Sequence, residues 1–282
     1  MARVIDFRVT LPLSEFAPRA AVGEGDAAYL GNYERVYARG FGVDSVHTML
    51  AAMDSAGVER AVLQAEWGFG DYRAMNAAVV RIAKEHPDRF IPYITVNPAE
   101  DHDMAAVVVR EVNENGARGV NLQPFAYRLR CDDRRFYPLY DRCRELGLPV
   151  TVHCSVNFSA DRTIDFGRPL YLDQVACDFP GLTLVANHGG WPWVTELVAV
   201  AWKHPTVYIE LGAISPKYMA RPGTGWEPLL VYGRSLLQDR VLWATDCMLP
   251  FDRSLQEARE LPLPPEVVDK WLGLNAAKLL GV

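Results

Sequence analysis

The chain has 282 residues, of which half are hydrophobic and 23% are charged, and its formal net charge at pH 7 is −6. Such a composition supplies a large core, argues against disorder and, without a basic stripe, argues against nucleic acid as a partner. The five cysteines are odd in number and form no CxxC pair, which favours a reducing compartment over a disulfide framework. No apolar leader or bilayer-length segment is visible, so we expect a cytoplasmic protein that does not enter membranes.

The first predicted strand covers residues 4–11, where polar and apolar side chains alternate. Alternation places Asp6, Arg8 and Thr10 on one face of this strand. Residues 12–42 contain glycine, proline and aromatic residues without a clear period, and they predict a long loop insertion of the kind that forms lids or binding loops. The aromatic residues of this loop are compatible with a ring-containing substrate.

Helices and strands alternate along the rest of the chain. The predicted helices cover residues 44–57, 72–85, 104–113, 136–146, 170–178, 193–203, 226–237 and 266–280. The predicted strands cover residues 59–66, 90–97, 119–124, 149–153, 182–188, 207–211 and 240–246. About eight strand–helix units predict a single (β/α)8 barrel domain spanning residues 1–282. A dinucleotide-binding sheet is disfavoured because no GxGxxG follows the first strand.

Titratable side chains end three of the predicted strands. His153 and His188 each follow a short apolar, β-branched run, and Asp246 ends the last strand. Because the carboxyl ends of barrel strands meet at one mouth, we predict these three residues as the catalytic group. Two imidazoles and a carboxylate suit a divalent metal or acid–base work near neutral pH. The predicted substrate-binding residues are Arg8, Thr10, Glu66, Gln123, Trp191 and Glu210.

Short motifs around these residues resemble a known family. They are Leu148-Pro149-Val150-Thr151-Val152-His153, Asn187-His188-Gly189-Gly190, Thr245-Asp246 followed by Pro250, Phe136-Tyr137-Pro138-Leu139-Tyr140, and Asn275-Ala276-Ala277-Lys278-Leu279-Leu280-Gly281. Their order and spacing resemble the amidohydrolase-related branch of the metal-dependent hydrolase superfamily, which includes aminocarboxymuconate-semialdehyde decarboxylase and the resorcylate decarboxylases.

The resemblance covers nearly the whole chain and carries several expectations. It implies a (β/α)8 barrel, one zinc or manganese ion, and a dimer or larger homo-oligomer. It also implies that His153 is a metal ligand, that Asp246 is a ligand or base, and that His188 activates water or polarises the substrate.

The sequence departs from the family pattern at the end of the first strand. There the family has His-x-His, whereas this chain has Arg8 and Thr10. A guanidinium has no lone pair for a metal and repels a cation, and threonine is a poor zinc ligand. We therefore expect no tightly bound metal, with zinc or manganese held by His153 and Asp246 as the alternative. Arg8 could pair with Asp246 or bind a substrate carboxylate.

Three functions follow as hypotheses. The favoured one is an enzyme that uses metal-independent acid–base chemistry on a small carboxylated, enolic or ring-containing substrate, by decarboxylation, hydration, elimination or isomerisation. The second is a metal-dependent hydrolase or decarboxylase with a rebuilt zinc or manganese site. The third is a non-catalytic protein that binds a small anion or a partner. We expect an anionic small-molecule substrate and no nucleic acid or membrane partner.

Overall fold

Eight strands form one parallel sheet in chain order, which is the arrangement of a (β/α)8 barrel. The computed structural model describes residues 3–15, 43–66 and 71–282. The strands are β1 (Ile5–Thr10), β2 (Arg60–Gln64), β3 (Phe90–Thr95), β4 (Gly119–Leu122), β5 (Val150–His153), β6 (Leu184–Asn187), β7 (Val207–Glu210) and β8 (Val241–Leu242). The prediction of this fold is confirmed, while most of the predicted loop insertion, residues 16–42, lies outside the described residues.

Helices separate the strands and pack around the barrel. They are α1 (Val46–Ala56), α2 (Tyr72–Glu85), α3 (Met104–Asn115), α4 (Pro124–Tyr127), α5 (Tyr137–Leu146), α6 (Tyr171–Asp178), α7 (Val194–Lys203), α8 (Pro216–Met219), α9 (Glu227–Gly233), α10 (Phe251–Arg259), α11 (Pro265–Asp269) and α12 (Asn275–Leu280). Local capping explains several boundaries: the Asp71 carboxylate accepts a hydrogen bond from Arg73 N at 2.9 Å where α2 begins. None of the helices in the described ranges combines the length and apolar character needed to cross a bilayer.

Backbone hydrogen bonds between the first and last strands close the ring. Phe7 N donates to Trp243 O at 3.0 Å, and Asp246 N donates to Arg8 O at 2.8 Å. These bonds bring the carboxyl end of β1 against the segment that follows β8, so residues from opposite ends of the chain share the barrel mouth.

A bulge in β1 interrupts the predicted alternation of its side chains. The pairing with β2 shifts register between Asp6 and Val9. Phe7 packs with Tyr93 in the core, whereas Arg8 reaches the mouth. The Asp6 carboxylate instead binds the β8 segment, accepting from Thr245 Oγ1 at 2.6 Å. The prediction that Asp6 shares a face with Arg8 and Thr10 is therefore wrong, because the bulge changes which side chains face the cavity.

The last quarter of the chain differs most from the predicted elements. The predicted strand 240–246 shortens to β8, because Asp246 and Cys247 adopt positive φ angles of 59° and 54° that no strand accommodates. The predicted helix 266–280 is divided by a π-helical turn over Lys270–Leu274. Helix α10 has no counterpart among the predicted elements, since only a narrow apolar stripe marks its largely polar sequence.

Candidate active site

A cavity of about 60 Å³ opens at the carboxyl ends of the strands. A larger groove of about 510 Å³ lies outside the barrel between α2 and α3. We take the mouth as the functional site because barrel enzymes place their chemistry at this end. The predicted site residues that line the mouth cavity are Arg8, Thr10, Glu66, Gln123, His153, His188 and Asp246.

Arg8 is the charged centre of this cavity and is only 1% exposed. Its Nε donates to Asp246 Oδ1 at 2.6 Å, its Nη2 donates to Glu66 Oε1, and its Nη1 donates to Gln64 Oε1 at 2.8 Å. The Asn187 amide is oriented so that its nitrogen donates to Glu210 Oε2 at 3.2 Å and its oxygen accepts from Arg8 Nη1 at 3.0 Å. Protein acceptors thus occupy most of the five N–H groups of the guanidinium. Of the two roles considered for Arg8, the structure shows the pairing with Asp246.

The carboxyl groups around Arg8 outnumber its single positive charge. Glu66, Asp246 and Glu210 all act on the guanidinium electrostatically. Burial raises the pKa of Glu66 to about 7 and that of Glu210 to about 8, although Arg8 opposes both shifts. Burial likewise raises the pKa of Asp246, again against the effect of Arg8. One cation cannot keep three buried carboxylates ionised, so part of this group holds protons near neutral pH.

The pKa values of the two histidines of the site are shifted in the opposite direction, below their ordinary values. Burial, the neighbouring His188 and the charge of Arg8 hold the pKa of His153 well below its ordinary value. Burial and Arg8 lower the pKa of His188 to about 3. Their ring centroids are 4.7 Å apart. Both imidazoles are therefore neutral at pH 7, and each can accept a proton or a hydrogen bond.

Backbone geometry fixes the orientation of His188. It follows β6 with a φ of 62°, and its Nδ1 lies 2.9 Å from Gly212 O. Because a carbonyl oxygen only accepts, Nδ1 carries the proton and Nε2 keeps its lone pair. A left-handed backbone at a non-glycine residue is found both here and at Asp246. Such strain of about 1–3 kcal/mol is typical of functional positions.

Three buried polar atoms of the cavity residues have no hydrogen-bond partner among the residues that the structure describes. They are Thr10 Oγ1, Gln123 Oε1 and His153 Nε2. Since buried polar groups are almost always hydrogen-bonded, their concentration at one cavity indicates a site built to bind a polar molecule.

A layer of polar side chains beneath the mouth was not predicted from the sequence. Gln64, Asn121 and Thr151 are fully buried, and the Thr151 hydroxyl donates to Gln64 Oε1 at 3.0 Å or to Asn121 Oδ1 at 2.9 Å. Each lies two residues before a predicted site residue, Glu66, Gln123 or His153, on the same strand face. This spacing of two residues along each strand is the sequence signal that could have identified the layer. The layer helps to hold Arg8, because Gln64 Oε1 accepts a hydrogen bond from its guanidinium.

Two predicted substrate-binding residues lie away from the cavity wall. Trp191 is 39% exposed, and its Nε1 donates to Thr224 O at 3.4 Å. Glu210 is completely buried and accepts from Gly212 N. In the Gly189-Gly190 turn, an added Cβ at Gly189 would lie 2.5 Å from the Trp226 ring, so this close approach serves packing. Direct contact of Trp191 or Glu210 with substrate stays a prediction.

The donor set at the mouth does not fit a divalent metal ion. The carboxylate that would be a ligand, Asp246, is bonded to the Arg8 guanidinium, whose charge repels a cation. In the described ranges, three ligand atoms from histidine, cysteine, aspartate or glutamate converge within 4.8 Å only elsewhere in the barrel. Among the histidine, cysteine and carboxylate ligand atoms of the described cavity residues, His153 Nε2 is the one that is buried without a hydrogen-bond partner there.

Sequence comparison identifies the family. Residues 7–282 match the Amidohydrolase family, and the chain therefore belongs to it. A TIM-barrel protein of Bordetella bronchiseptica whose function is uncharacterised is 30% identical, with a TM-score of 0.79 over 99% of this chain and 98% of that one.

Two relatives with named activities are more distant. A 2-keto-4-carboxy-3-hexenedioate hydratase of Sphingobium is 28% identical over 138 residues, and this match spans 42% of the present chain and 40% of the hydratase. A 5-carboxyvanillate decarboxylase of Novosphingobium aromaticivorans, solved with manganese and 4-hydroxy-3-methoxy-5-nitrobenzoic acid, is 16% identical. Its TM-score is 0.68 over 100% of this chain and 96% of that one, which shows a shared fold.

Proposed function

We propose that this protein is a lyase or hydratase of the amidohydrolase family that uses acid–base residues, without a metal ion at the barrel mouth, on a small carboxylated substrate. The observation that carries the proposal is the buried guanidinium of Arg8, paired with Asp246 and Glu66 beside His153 and His188. The positively charged guanidinium of Arg8 thus lies at a position where the family resemblance implies a metal ligand.

His188 is the proposed proton acceptor. Its Nδ1 proton is committed to Gly212 O, so Nε2 is the nitrogen that can take a proton. With a pKa of about 3 the imidazole is neutral and unprotonated before substrate binds. Negative charge that develops next to it, or a bound substrate anion, favours its protonation. His153, whose Nε2 has no hydrogen-bond partner in the described part of the chain, is the proposed second acceptor or substrate contact.

Glu66 is the proposed proton donor. It lines the cavity, and its pKa of about 7 leaves a substantial protonated fraction at neutral pH. Asp246 and Arg8 position it: the guanidinium fixes the carboxyl group, and the charge of Asp246 helps to keep the proton bound.

Decarboxylation and hydration share one step that these residues can perform. In decarboxylation the C–C bond to the carboxylate breaks, CO2 leaves with its oxygens, and the electron pair left on carbon accepts a proton from Glu66. In hydration His188 takes a proton from water as the oxygen bonds to an alkene carbon, and the adjacent carbon receives the proton of Glu66. The similarity to a decarboxylase and a hydratase of carboxylated compounds supports both reactions.

Metal analysis combined with turnover tests this proposal. Untagged protein, purified without chelator, is compared with an Arg8→His/Thr10→His variant, and both are assayed with 5-carboxyvanillate and 2-keto-4-carboxy-3-hexenedioate. We expect chelator-resistant turnover of a carboxylated compound by the natural chain, and an additional metal ion in the variant. Turnover that stops on chelation and returns with Mn²⁺ would overturn the proposal.

A rebuilt metal site is the second candidate, and it is favoured by His153 Nε2, which accepts no hydrogen bond from any described residue. It requires Asp246 to exchange the guanidinium for a metal ion. The natural chain would then retain zinc or manganese through gel filtration and lose it in His153→Ala. The third hypothesis, a binding protein, predicts ligand-induced stabilisation of the fold without turnover.

A further inference from the structure

A second group of chemically reactive side chains lies at the opposite end of the barrel. Asp173 and Cys177 are four residues apart on α6, so they share one helix face. His204 immediately follows α7 and precedes β7, which places it at the amino-terminal end of the strands. The potential ligand atoms of these three residues, which we call the base cluster, all lie within 4.8 Å of one another.

Distances within the base cluster are close to those of a coordination shell. His204 Nε2 lies 2.7 Å from Asp173 Oδ1 and 4.0 Å from Cys177 Sγ. Ligand atoms around a tetrahedral zinc ion are about 3.4–3.6 Å apart, as follows from its bond lengths of about 2.0–2.3 Å. Small side-chain rotations therefore convert the observed arrangement into a zinc shell.

We propose that Asp173, Cys177 and His204 bind a zinc ion that ties α6 to the segment after α7. The donor set of one thiolate, one imidazole and one carboxylate matches the preference of zinc, and it disfavours magnesium and calcium, which select oxygen ligands. Three protein ligands leave the fourth tetrahedral position to water.

Lys203 is the present cation of this cluster. Its Nζ lies 2.8 Å and 3.0 Å from the two Asp173 oxygens and 3.6 Å from Cys177 Sγ. The Lys203 side chain is 55% exposed on a flexible stem, so the ammonium can move into solvent when a metal ion arrives. A solvent-exposed ion pair of this kind contributes little to stability, and little is lost when it opens.

The position of the base cluster suggests a structural role for the zinc ion. Chemistry belongs to the carboxyl ends of barrel strands, whereas features of the opposite face serve stability. Zinc at this place cross-links two elements that precede and follow β6. Binding to the folded chain alone then raises the thermal midpoint with zinc concentration.

Metal titration of the full untagged chain tests the zinc site. We expect one equivalent of Zn²⁺ to bind and raise Tm, and Cd²⁺ to produce the near-ultraviolet absorption of a cadmium–thiolate bond. Cys177→Ser should abolish this absorption. His204→Ala should weaken binding at least tenfold, since even outer-shell partners of a metal are worth about 10–100-fold. Lys203→Met should strengthen it, because the competing ammonium is removed.

A control variant accompanies these substitutions. His102→Ala removes an exposed histidine elsewhere. It should not change the zinc affinity. The proposal is overturned if neither the natural chain nor Lys203→Met binds zinc, or if binding survives intact in both Cys177→Ser and His204→Ala. Either result leaves the proposed function of the mouth untouched.

Discussion

The mouth and the base of the barrel contain similar residues, but the basic side chain is buried at the mouth and exposed at the base. Each has an aspartate, a histidine and a basic side chain. Arg8 at the mouth is 1% exposed and bonded to Asp246 at 2.6 Å, whereas the Lys203 side chain at the base is 55% exposed and lies 2.8 Å from Asp173. A buried guanidinium is a permanent counter-ion, while an exposed ammonium can be exchanged.

The comparison teaches that residue types alone do not define a metal site. Whether a metal ion can bind depends on the free-energy cost of removing the basic side chain that is already paired with the carboxylate. At the mouth this removal leaves Asp246 and Glu66 buried without their counter-ion. At the base the ammonium moves into water. Metal content measured on the natural chain must therefore be assigned to one end or the other, for which Cys177→Ser is the appropriate background.

The largest expected effect is the change in stability when the basic side chain of the mouth or of the base is replaced. Arg8→Met should lower the free energy of unfolding by about 3–5 kcal/mol, because buried carboxylates lose their partner. The loss should be smaller at pH 5 than at pH 8, since protonated carboxyls need no counter-ion. Lys203→Met should change the free energy of unfolding by no more than about 1 kcal/mol. Urea unfolding measures both values, and equal effects would show that the two cations are held alike.

The second prediction contrasts the two histidines. His188→Ala should lower kcat at least about a hundredfold if its imidazole transfers a proton, whereas His204→Ala should leave kcat unchanged. Steady-state kinetics on whichever carboxylated compound the natural chain converts supplies the readout. Undiminished turnover by His188→Ala would remove this residue from the proposed mechanism.

The third prediction tests the excess of carboxyl groups at the mouth. Burial raises the pKa of Glu210 from an ordinary 4.5 to about 8. The folded state thus binds this proton more tightly than the unfolded state, and stability falls as the pH rises from about 4.5 to about 8. Glu210→Gln keeps the oxygen that accepts from Gly212 N and should reduce this fall. Tm measured at pH 5 and pH 8 gives the slope, and an unchanged slope would contradict the shift.

The smallest expected effect belongs to Thr10. Its buried hydroxyl has no hydrogen-bond partner within residues 3–15, 43–66 and 71–282, so Thr10→Val should leave the free energy of unfolding within about 1 kcal/mol of the natural value. If the hydroxyl binds substrate, kcat/KM should fall about two- to tenfold, the worth of one hydrogen bond. A large loss of stability would instead identify Thr10 as a structural residue, like the polar layer beneath it.

The sequence predicted the barrel and the convergence at its mouth for clear physical reasons. Buried parallel strands give continuous apolar runs, and a polar residue at the carboxyl end of such a run lies at the same end of the barrel as the mouth. His153, His188, Asp246, Arg8 and Glu66 accordingly line one cavity. The family resemblance at the residue level also agrees with the match over residues 7–282.

Other features depended on contacts that local patterns do not encode. The β1 bulge reversed the expected position of Asp6, and it reflects pairing with a strand more than fifty positions away in the chain. Trp191 lies outside the described cavity wall because its ring follows the turn toward Thr224. The loop over residues 12–42, the oligomeric state and the cytoplasmic location stay predictions.

The bonds that close the ring also constrain how the protein is made. Arg8 and its partner Asp246 are 238 positions apart in the chain, so the ribosome adds Arg8 first. A chain not yet extended to Asp246 therefore has a guanidinium without this partner and a β1 edge without its bonds to the β8 segment. Exposed strand edges promote aggregation and are one reason why folding chains need chaperones. The ion pair that organises the mouth can therefore form only after the segment that follows β8 has been synthesised.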